Sequence, residues 1–331
     1  MTNHSGRETK VKLNKIYQGD ALTVLRTFPD EAAHCVVTSP PYWGLRDYGV
    51  DNQLGLEPTP DEYVARLVDV FREVRRVLHK DGTVWLNLGD SYTSTTKGCG
   101  GPSDKQVSNA GSFYNGSQRL IPDTKPKDLV GIPWRVAFAL QADGWWLRSD
   151  IIWSKPNPMP ESITDRPTKA HEYVFLLTRS EQYFYDVDAI KEPLIHPNEL
   201  DRRNPAVFGG AKKHAGYNNR KYSGNKYEGE LSGRNKRTVW TITTKPYPEA
   251  HFATMPPDLV EPCVKAGCPL LGTVLDPFMG SGTVGAVAKS LDRDYVGIEL
   301  NPEYIKLAEK RIAGTGRQIA LGLAANTKKE S

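Results

Sequence analysis

Short β-branched segments alternate with longer segments of helical periodicity in this sequence. The strand-like residues 34–37 precede residues 61–78, where apolar side chains recur at helical spacing, and another strand-like segment starts at Thr83. Asp61 near the start of the helical segment and Gly82 just past its end are typical capping signals. The alternation favours an α/β fold in which helices cover a parallel sheet.

Polar stretches interrupt this alternation at two places. Residues 91–127 are rich in Gly, Ser, Thr, Asn and Pro, which predicts a long loop. Residues 187–240 are polar, rich in Asn, Gly and Tyr, and show little periodicity. Strand and helix patterns return after Thr241 and continue to Gly314.

The composition excludes several classes of protein. With 331 residues, 38% of them hydrophobic and 25% charged, the chain can bury a full core. A mean hydropathy of -0.52 and the lack of an apolar run of about 18 residues exclude a membrane-spanning helix. The polar N-terminus lacks the apolar segment of a signal peptide. None of the four cysteines forms a CxxC pair, so we expect a reduced, cytoplasmic protein without a disulfide framework or metal site.

A glycine-rich turn follows a strand-like segment that ends at Asp276. Gly280 and Gly282 open a helix there; glycine allows close approach of the backbone to a ligand, and a helix N-terminus offers free N–H groups. Glu299 ends the next strand about twenty residues on, where a carboxylate can bind both hydroxyls of a ribose. The third glycine of a dinucleotide motif and the Lys-Ser/Thr of a P-loop are missing. We therefore expect an adenosine-like ligand that is neither a dinucleotide nor a triphosphate.

A second motif, Ser39-Pro40-Pro41-Tyr42, directly follows the strand-like residues 34–37. The two prolines stiffen the turn and force the residue before each of them into an extended conformation. Such a turn presents the Ser39 hydroxyl, the Pro40 carbonyl and an aromatic ring together. These groups suit a planar base, since two acceptors can bind an exocyclic amine while a ring stacks on the base.

Together the two motifs resemble those of the amino-group DNA methyltransferases that use S-adenosylmethionine, whose signatures are Ser/Asn/Asp-Pro-Pro-aromatic and Phe-x-Gly-x-Gly. The catalytic motif precedes the cofactor motif, an order that resembles the circularly permuted β group. The resemblance implies a Rossmann-like methyltransferase fold, with a mostly parallel seven-stranded sheet containing an antiparallel strand and a small polar target-recognition insert. The implied regions are a catalytic half at 10–186 with the loop 91–127, the target recognition region at 187–240, the cofactor-binding half at 241–314 and a tail at 315–331.

The resemblance also implies which residues bind S-adenosylmethionine. Asp20 stands where the family places a carboxylate near the adenine, although it could simply cap the helix that follows. The segment from His251 to Met255 resembles the one that lines the methionine half; the family often has Phe in place of Met255, and His251 could be an ordinary loop histidine. The expected cofactor-binding residues are Asp20, Ala21, Thr38, His251, Thr254, Met255, Asp276, Phe278, Gly280, Ser281, Gly282, Thr283, Glu299 and Asn301.

The implied reaction is methylation of an exocyclic amine by catalytic residues Ser39, Pro40, Pro41 and Tyr42. The amine lone pair is delocalised into the base, and the Ser39 oxygen and Pro40 carbonyl can favour the sp3-like geometry that frees it. The base must be flipped out of the duplex, and we expect it to stack on Tyr42. Trp43 either adds to that stack or belongs to the core. Cys35 lacks a preceding proline and does not resemble the nucleophile of the carbon-5 cytosine enzymes.

The target base is the finer question. In the family, Thr-Ser-Pro-Pro-Tyr more often accompanies N4-cytosine methylation, whereas the Asp and Asn forms accompany N6-adenine methylation. We therefore expect an N4-cytosine DNA methyltransferase, with N6-adenine as the alternative. RNA or protein glutamine as the substrate, or an inactive DNA-binding protein, fit the sequence less well.

The formal charge of +4 has two unlike parts. Residues 202–237 hold ten basic and two acidic side chains, a net charge of +8, so the remaining residues carry -4. Aromatic and amide side chains are interleaved, as a DNA-reading surface requires. The segment lies where the β group carries its target recognition region. The expected DNA-binding residues are Trp43, Arg202, Arg203, Lys212, Lys213, Arg220, Lys221, Arg234, Lys236 and Arg237.

The expected partner is double-stranded DNA, with no membrane involved. The resemblance also allows for a cognate restriction endonuclease that acts separately. The chain is expected to be a monomer or homodimer. The loop 91–127 either closes over DNA or is a linker. We expect a cytoplasmic location in a bacterium, or a phage-encoded protein.

Overall fold

A computed structural model describes residues 10–44, 53–93, 125–193, 233–245 and 254–316. The chain divides into two compact units, one formed by Met1–Asp186 with Thr238–Ser331 and the other by Val187–Arg237. Most of the predicted loop 91–127 and the whole segment 317–331 of the predicted tail lie outside the described residues.

The larger unit is built on one sheet of eight described strands. Its order is β1-β8-β7-β2-β3-β5-β4-β6. The strands are β1 (Lys15–Gln18), β2 (Ala33–Thr38), β3 (Leu78–Leu88), β4 (Trp146–Ser154), β5 (His171–Thr178), β6 (Val239–Thr241), β7 (Thr273–Asp276) and β8 (Asp294–Glu299). All pairings are parallel except those of β5, which runs antiparallel to β3 and β4.

The predicted mostly parallel sheet with an antiparallel strand is confirmed, but the predicted count of seven strands is wrong for the described sheet. The eighth strand is β6, which pairs with β4 through Trp153 and Trp240. It is three residues long, and two of them, Val239 and Trp240, lie within the range assigned to the insert, 187–240. A segment this short has no measurable alternation, and the burial of Trp240 against the sheet selects the extended conformation.

The order of the strands confirms the circular permutation. Strands β7 and β8 come last in the chain, yet they lie between β1 and β2 in the sheet. Parallel strands place their carboxyl ends at one edge, and the antiparallel β5 begins at that same edge. The edge therefore collects residues from distant parts of the sequence.

Six described helices connect these strands. They are α1 (Ala21–Thr27), α2 (Pro60–Val77), α3 (Ile132–Ala142), α4 (Pro257–Gly267), α5 (Thr283–Ser290) and α6 (Pro302–Ala313). Helices α1, α2 and α3 pack together in one layer, and α4, α5 and α6 in another. No helix in the described part of the chain is long and apolar enough to cross a membrane.

The ends of α2 differ from the predicted capping signals. The N-cap is Thr59, whose hydroxyl accepts a hydrogen bond from the backbone N–H of Glu62 at 3.2 Å, and Asp61 lies within the first turn. The helix ends at Val77 rather than at Gly82. The next residue, Leu78, is buried and already pairs with β2, so sheet pairing ends the helix earlier than its periodicity suggests.

Alternation along the central strands gives the sheet two apolar faces. Val36 in β2 and Val84 in β3 belong to the core cluster that also contains Phe71 of α2. Cys35 and Trp85, one position away in the same strands, lie beside Gly267 of α4 on the other face. Both faces of the sheet are therefore covered by helices, as the sequence pattern predicts.

Gly267 is packed so closely that a side chain has no room there. A Cβ atom would collide with Thr83 Oγ1 and Trp85 Nε1 and would lie 3.2 Å from Cys35 Sγ. We expect Gly267→Ala to lower the free energy of unfolding by about 1–3 kcal/mol through overpacking, measured by urea denaturation. Gly316→Ala is the control, because a Cβ there meets nothing within 4 Å. Equal stability of the two variants would show that α4 can shift away from the sheet at no cost.

Candidate active site

A buried hydrogen bond joins the ends of β2 and β7. Thr38 Oγ1 donates to Asp276 Oδ1 at 2.7 Å, although the two residues are 238 positions apart. The same carboxylate oxygen accepts the backbone N–H of Phe278 at 3.0 Å. The last residue of β7, just before the glycine-rich turn, and the last residue before Ser39 are thus fixed to each other, so the two predicted motifs meet at one point of the sheet edge.

Asp276 has an unusual electrostatic environment. Its side chain is 2% exposed. Burial raises the pKa of Asp276 from 3.8 to about 7, the hydrogen bonds from Thr38 and Phe278 oppose this rise, and the charge of Glu299 adds to it. The site therefore holds a carboxyl group that changes charge near neutral pH.

The glycine-rich turn has the backbone geometry that its glycines predict. Gly280 and Gly282 have φ angles of +50° and +78°, and Gly282 is the N-cap of α5. A Cβ on Gly282 would lie 2.7 Å from the Cβ of Ala308, so α6 packs directly on the turn. A Cβ on Gly280 would have Phe278 O as its nearest neighbour at 3.9 Å, which leaves room for a ligand above the turn.

Glu299 lies across this turn at the end of β8. Its two carboxylate oxygens accept the backbone N–H groups of Gly280 and Asn301, each at 2.8 Å. Burial raises its pKa, and three backbone N–H groups oppose that rise. Each carboxylate oxygen can accept a further hydrogen bond, so the arrangement fits the two hydroxyls of a ribose.

Tyr42 of the second motif is held by its hydroxyl group. That hydroxyl lies 3.3 Å from Ser39 Oγ, 3.1 Å from Asn87 Oδ1 and 2.8 Å from Glu172 Oε2. The ring packs against Gly89, where a Cβ would come within 2.5 Å of it. Burial, followed by the charge of Glu172, raises the pKa of Tyr42 well above its usual value.

Three further residues complete this group; the sequence places the strand end at Asn87 near the site, but it gives no role to Glu172 or Lys155. Asn87 is the penultimate residue of β3, Glu172 is the second residue of β5, and Lys155 directly follows β4. Glu172 Oε2 also accepts the Asn87 amide at 3.1 Å, and Lys155 forms an ion pair with Glu172 Oε1. The pairing of Trp153 with Glu172 across β4 and β5 brings them to the edge. The sheet was predicted to contain an antiparallel strand, and such a strand begins at the edge where the parallel strands end. This prediction could have placed Glu172 at the edge that holds the site.

Trp43 does not belong to a base-binding stack. It is 4% exposed and lies in the core cluster, and its indole N–H donates to the carbonyl of Glu57 at 2.9 Å. The structure thus places Trp43 in the core, one of the two alternatives left open by the sequence, with its ring under the segment that follows the Pro-Pro turn. Pro41 is also anchored, since its carbonyl accepts the Tyr63 hydroxyl at 2.9 Å.

Several predicted cofactor residues hold the local structure instead of facing open space. The side chain of Asp20 caps α1 through Thr23 N at 2.9 Å, and that of Asn301 caps α6 through Glu303 N at 2.9 Å. The buried hydroxyls of Ser281 and Thr283 accept hydrogen bonds from Arg311, at 3.1 Å and 2.7 Å respectively. Their backbones still border the turn.

Other predicted residues are placed as follows. Ala21, the first residue of α1, is buried, and Thr254 and Met255 are half-buried just before α4. His251 lies outside the described residues, as do Arg202, Arg203, Lys212, Lys213, Arg220 and Lys221. Of the basic residues that are described, Arg234 and Arg237 both pair with Glu192, at 3.3 Å and 2.9 Å. Lys236 lies between them in the chain.

The raised pKa of Asp276 predicts a pH-dependent stability. Because the folded-state pKa lies above that of the unfolded chain, the favourable contribution is complete below pH ~3.8 and is lost as the pH rises through about 7. Asp276→Asn keeps an acceptor oxygen for Thr38 and Phe278 but cannot ionise. We expect the stability of this variant relative to the wild type to be greater at about pH 8 than at about pH 5, measured by urea unfolding.

The exposed Glu181 provides the control for this measurement. Glu181→Gln removes a carboxylate at the protein surface, so its stability relative to the wild type should change little between the two pH values. An equal offset for Asp276→Asn at both pH values would contradict the assigned environment of Asp276.

Comparison with known proteins identifies the family. A family model described as DNA methylase matches residues 33–310. Type II methyltransferase M.Cfr9I from Citrobacter freundii is 48% identical over 314 residues, covering 93% of this chain and 91% of its own. Type II methyltransferase M.SmaI from Serratia marcescens is 47% identical over 305 residues, covering 92% of each chain.

Solved structures share the fold. PvuII DNA methyltransferase (cytosine-N4-specific) aligns with a TM-score of 0.60 at 19% identity, covering 91% of this chain and 87% of that chain. TTHA0409 from Thermus thermophilus, solved in complex with S-adenosyl-L-methionine, aligns with a TM-score of 0.54 at 23% identity, covering 91% and 93%. Since the family model spans most of the sequence and the relatives match almost end to end, the chain belongs to the DNA methylase family of S-adenosylmethionine-dependent amino-methyltransferases.

Proposed function

We propose that this DNA methyltransferase methylates the exocyclic N4 amine of a cytosine flipped out of duplex DNA, at a specific recognition sequence. The observation that carries the proposal is the hydrogen bond from Thr38 to Asp276, which places Ser39 next to the glycine-rich turn. The Thr-Ser-Pro-Pro-Tyr form of the motif supports cytosine, because this form more often accompanies N4-cytosine methylation in the family.

The residues at the turn fit S-adenosylmethionine. Glu299 would bind the ribose hydroxyls, and the backbone from Phe278 to Gly282 would border the rest of the molecule, where the space above Gly280 is open. When bound, S-adenosylmethionine supplies an electrophilic methyl group on a positively charged sulfur. The buried carboxyl group of Asp276 is hydrogen-bonded to Thr38, the residue directly before Ser39.

The Ser39-Pro40-Pro41-Tyr42 turn would receive the target amine. Ser39 Oγ and Pro40 O would accept its two N–H groups and so favour the pyramidal nitrogen whose lone pair can react. The turn is held at Pro41 O by Tyr63 and at the Tyr42 hydroxyl by Glu172, so its acceptors are pre-positioned. The Tyr42 ring is the proposed stacking surface for the flipped base.

The biological setting is part of the same proposal. Two of the relatives are named as type II methyltransferases of bacteria, which supports a modification enzyme of a restriction system in the cytoplasm of a bacterium, with a separate endonuclease as its counterpart. The basic segment 202–237 would contact the DNA, and the enzyme would act as a monomer or homodimer.

The product of the reaction tests the proposed function. The purified protein is incubated with duplex DNA and labelled S-adenosylmethionine, the DNA is digested to nucleosides, and the labelled nucleoside is identified by chromatography. We expect N4-methylcytosine, and we expect Ser39→Ala to lose at least about 100-fold in rate while still binding the cofactor. Labelled N6-methyladenine would contradict the choice of base, and label in RNA or protein alone would contradict the choice of substrate.

The salt dependence of DNA binding tests the basic segment. The triple variant Lys212→Gln, Lys213→Gln, Arg220→Gln should bind duplex DNA more weakly, and the slope of log K against log salt should fall by up to about 0.9 for each lost phosphate contact. The control variant carries the same charge change at Lys10, Lys12 and Lys80, which are exposed near the amino ends of β1 and β3. Equal slopes for the two variants would show that net charge, and not this segment, governs binding.

A further inference from the structure

Four polar side chains form a hydrogen-bonded chain that ends at Ser39. Lys155 Nζ pairs with Glu172 Oε1, and Glu172 Oε2 lies 2.8 Å from the Tyr42 hydroxyl. The Tyr42 hydroxyl in turn lies 3.3 Å from Ser39 Oγ. Asn87 borders the chain through its side-chain oxygen and nitrogen.

The positions of the protons along this chain follow from its chemistry. The Tyr42 hydroxyl has one proton and two acceptors, Glu172 Oε2 at 2.8 Å and Asn87 Oδ1 at 3.1 Å. The Glu172 carboxylate is the closer acceptor and forms the charge-assisted bond, so the Tyr42 hydroxyl donates its hydrogen bond to Glu172. The raised pKa of Tyr42 agrees with this, because a phenol that keeps its proton is a permanent donor. The Tyr42 oxygen is then left to accept.

Ser39 is the donor that reaches this oxygen. Once the Ser39 proton points to Tyr42, the remaining hydrogen-bonding capacity of Ser39 consists of lone pairs. A target amine offers N–H donors and therefore needs acceptors. We propose that Glu172, held by Lys155, is a positioning residue that orients the Tyr42 and Ser39 hydroxyls so that Ser39 accepts from the amine. This inference rests on the proposed function, in which Ser39 receives the target base.

The burial of Glu172 explains why Lys155 belongs to this hydrogen-bonded chain. Glu172 and Lys155 are only 16% and 17% exposed, and a carboxylate with so little water needs a counter-charge. The Lys155 ammonium also lies 4.3 Å from the centre of the Trp153 ring, which limits its movement. Lys155 therefore fixes the position of the Glu172 carboxylate from the side opposite Tyr42.

Glu172→Gln tests the direction of the chain at nearly constant shape. The Gln amide can donate to the Tyr42 oxygen, and the Tyr42 proton then has to turn toward Ser39 or Asn87. We expect kcat to fall about 10- to 100-fold, while the Kd values for S-adenosylmethionine and for duplex DNA change less than about two-fold. A purely structural role would instead lower the melting temperature and affect binding and kcat together.

Glu161→Gln is the matched control. Glu161 pairs with Arg166 at 2.6 Å with its side chain 28% exposed, and it lies in the same part of the chain without contacting Tyr42. We expect the control to retain wild-type kcat. A control that loses as much activity as Glu172→Gln would contradict a specific role of Glu172.

A double-mutant cycle with Tyr42→Phe shows whether Glu172 acts through the Tyr42 hydroxyl. We expect the kcat of the double variant to equal that of Tyr42→Phe alone, because Phe removes the link between Glu172 and Ser39. Additive losses would overturn the inference, as would full kcat in Glu172→Gln. If Glu172→Gln unfolds at the assay temperature, Lys155→Gln gives the second measurement, with reduced kcat expected and full kcat contradicting the role of the pair. A wild-type protein that methylates no DNA would contradict the proposed function instead, so the two failures are distinguishable.

Discussion

The hydrogen bond between Thr38 and Asp276 is the contact on which the arrangement of the site depends. It joins the carboxyl ends of β2 and β7, which are neighbours in the sheet, at the point where the motif for the base meets the motif for the cofactor. Open α/β sheets bind ligands at such an edge, outside the carboxyl ends of the strands. A methyl transfer needs two bound molecules at a fixed separation, and this bond fixes the two peptide segments that would bind them.

The antiparallel strand β5 has an effect beyond closing the sheet. In a fully parallel sheet, only the carboxyl ends of strands would lie at the edge that holds the site. Because β5 starts at that edge, Glu172 lies beside Asn87 and Lys155; Glu172 and Asn87 contact the Tyr42 hydroxyl, and Lys155 pairs with Glu172. The direction of one strand therefore decides which charged groups the catalytic turn meets.

Much of the fold was predictable because it depends on local patterns. Short β-branched segments that alternate with segments of helical periodicity predicted the main strands and the parallel sheet, and two short motifs predicted both halves of the candidate site. The contacts that the sequence did not predict are tertiary: Leu78 leaves its helix because sheet pairing competes with helical periodicity, and Trp43 turns into the core. Glu172 is an ordinary charged strand residue in the sequence, and its role becomes visible once β5 is paired with β3 and β4.

The carboxyl groups of the site are stabilised by different means, and this difference has a physical meaning. Glu172 is balanced by Lys155, whereas the acceptor Asp276 Oδ1 is bound by the Thr38 hydroxyl and the Phe278 N–H, and its pKa is raised to about 7. Burial raises the pKa of Glu299 as well, and the charge of Glu299 adds to the rise at Asp276. Lys155 compensates the buried charge of Glu172 directly, whereas Asp276 is held by hydrogen bonds from a hydroxyl and a backbone N–H, which carry no full charge.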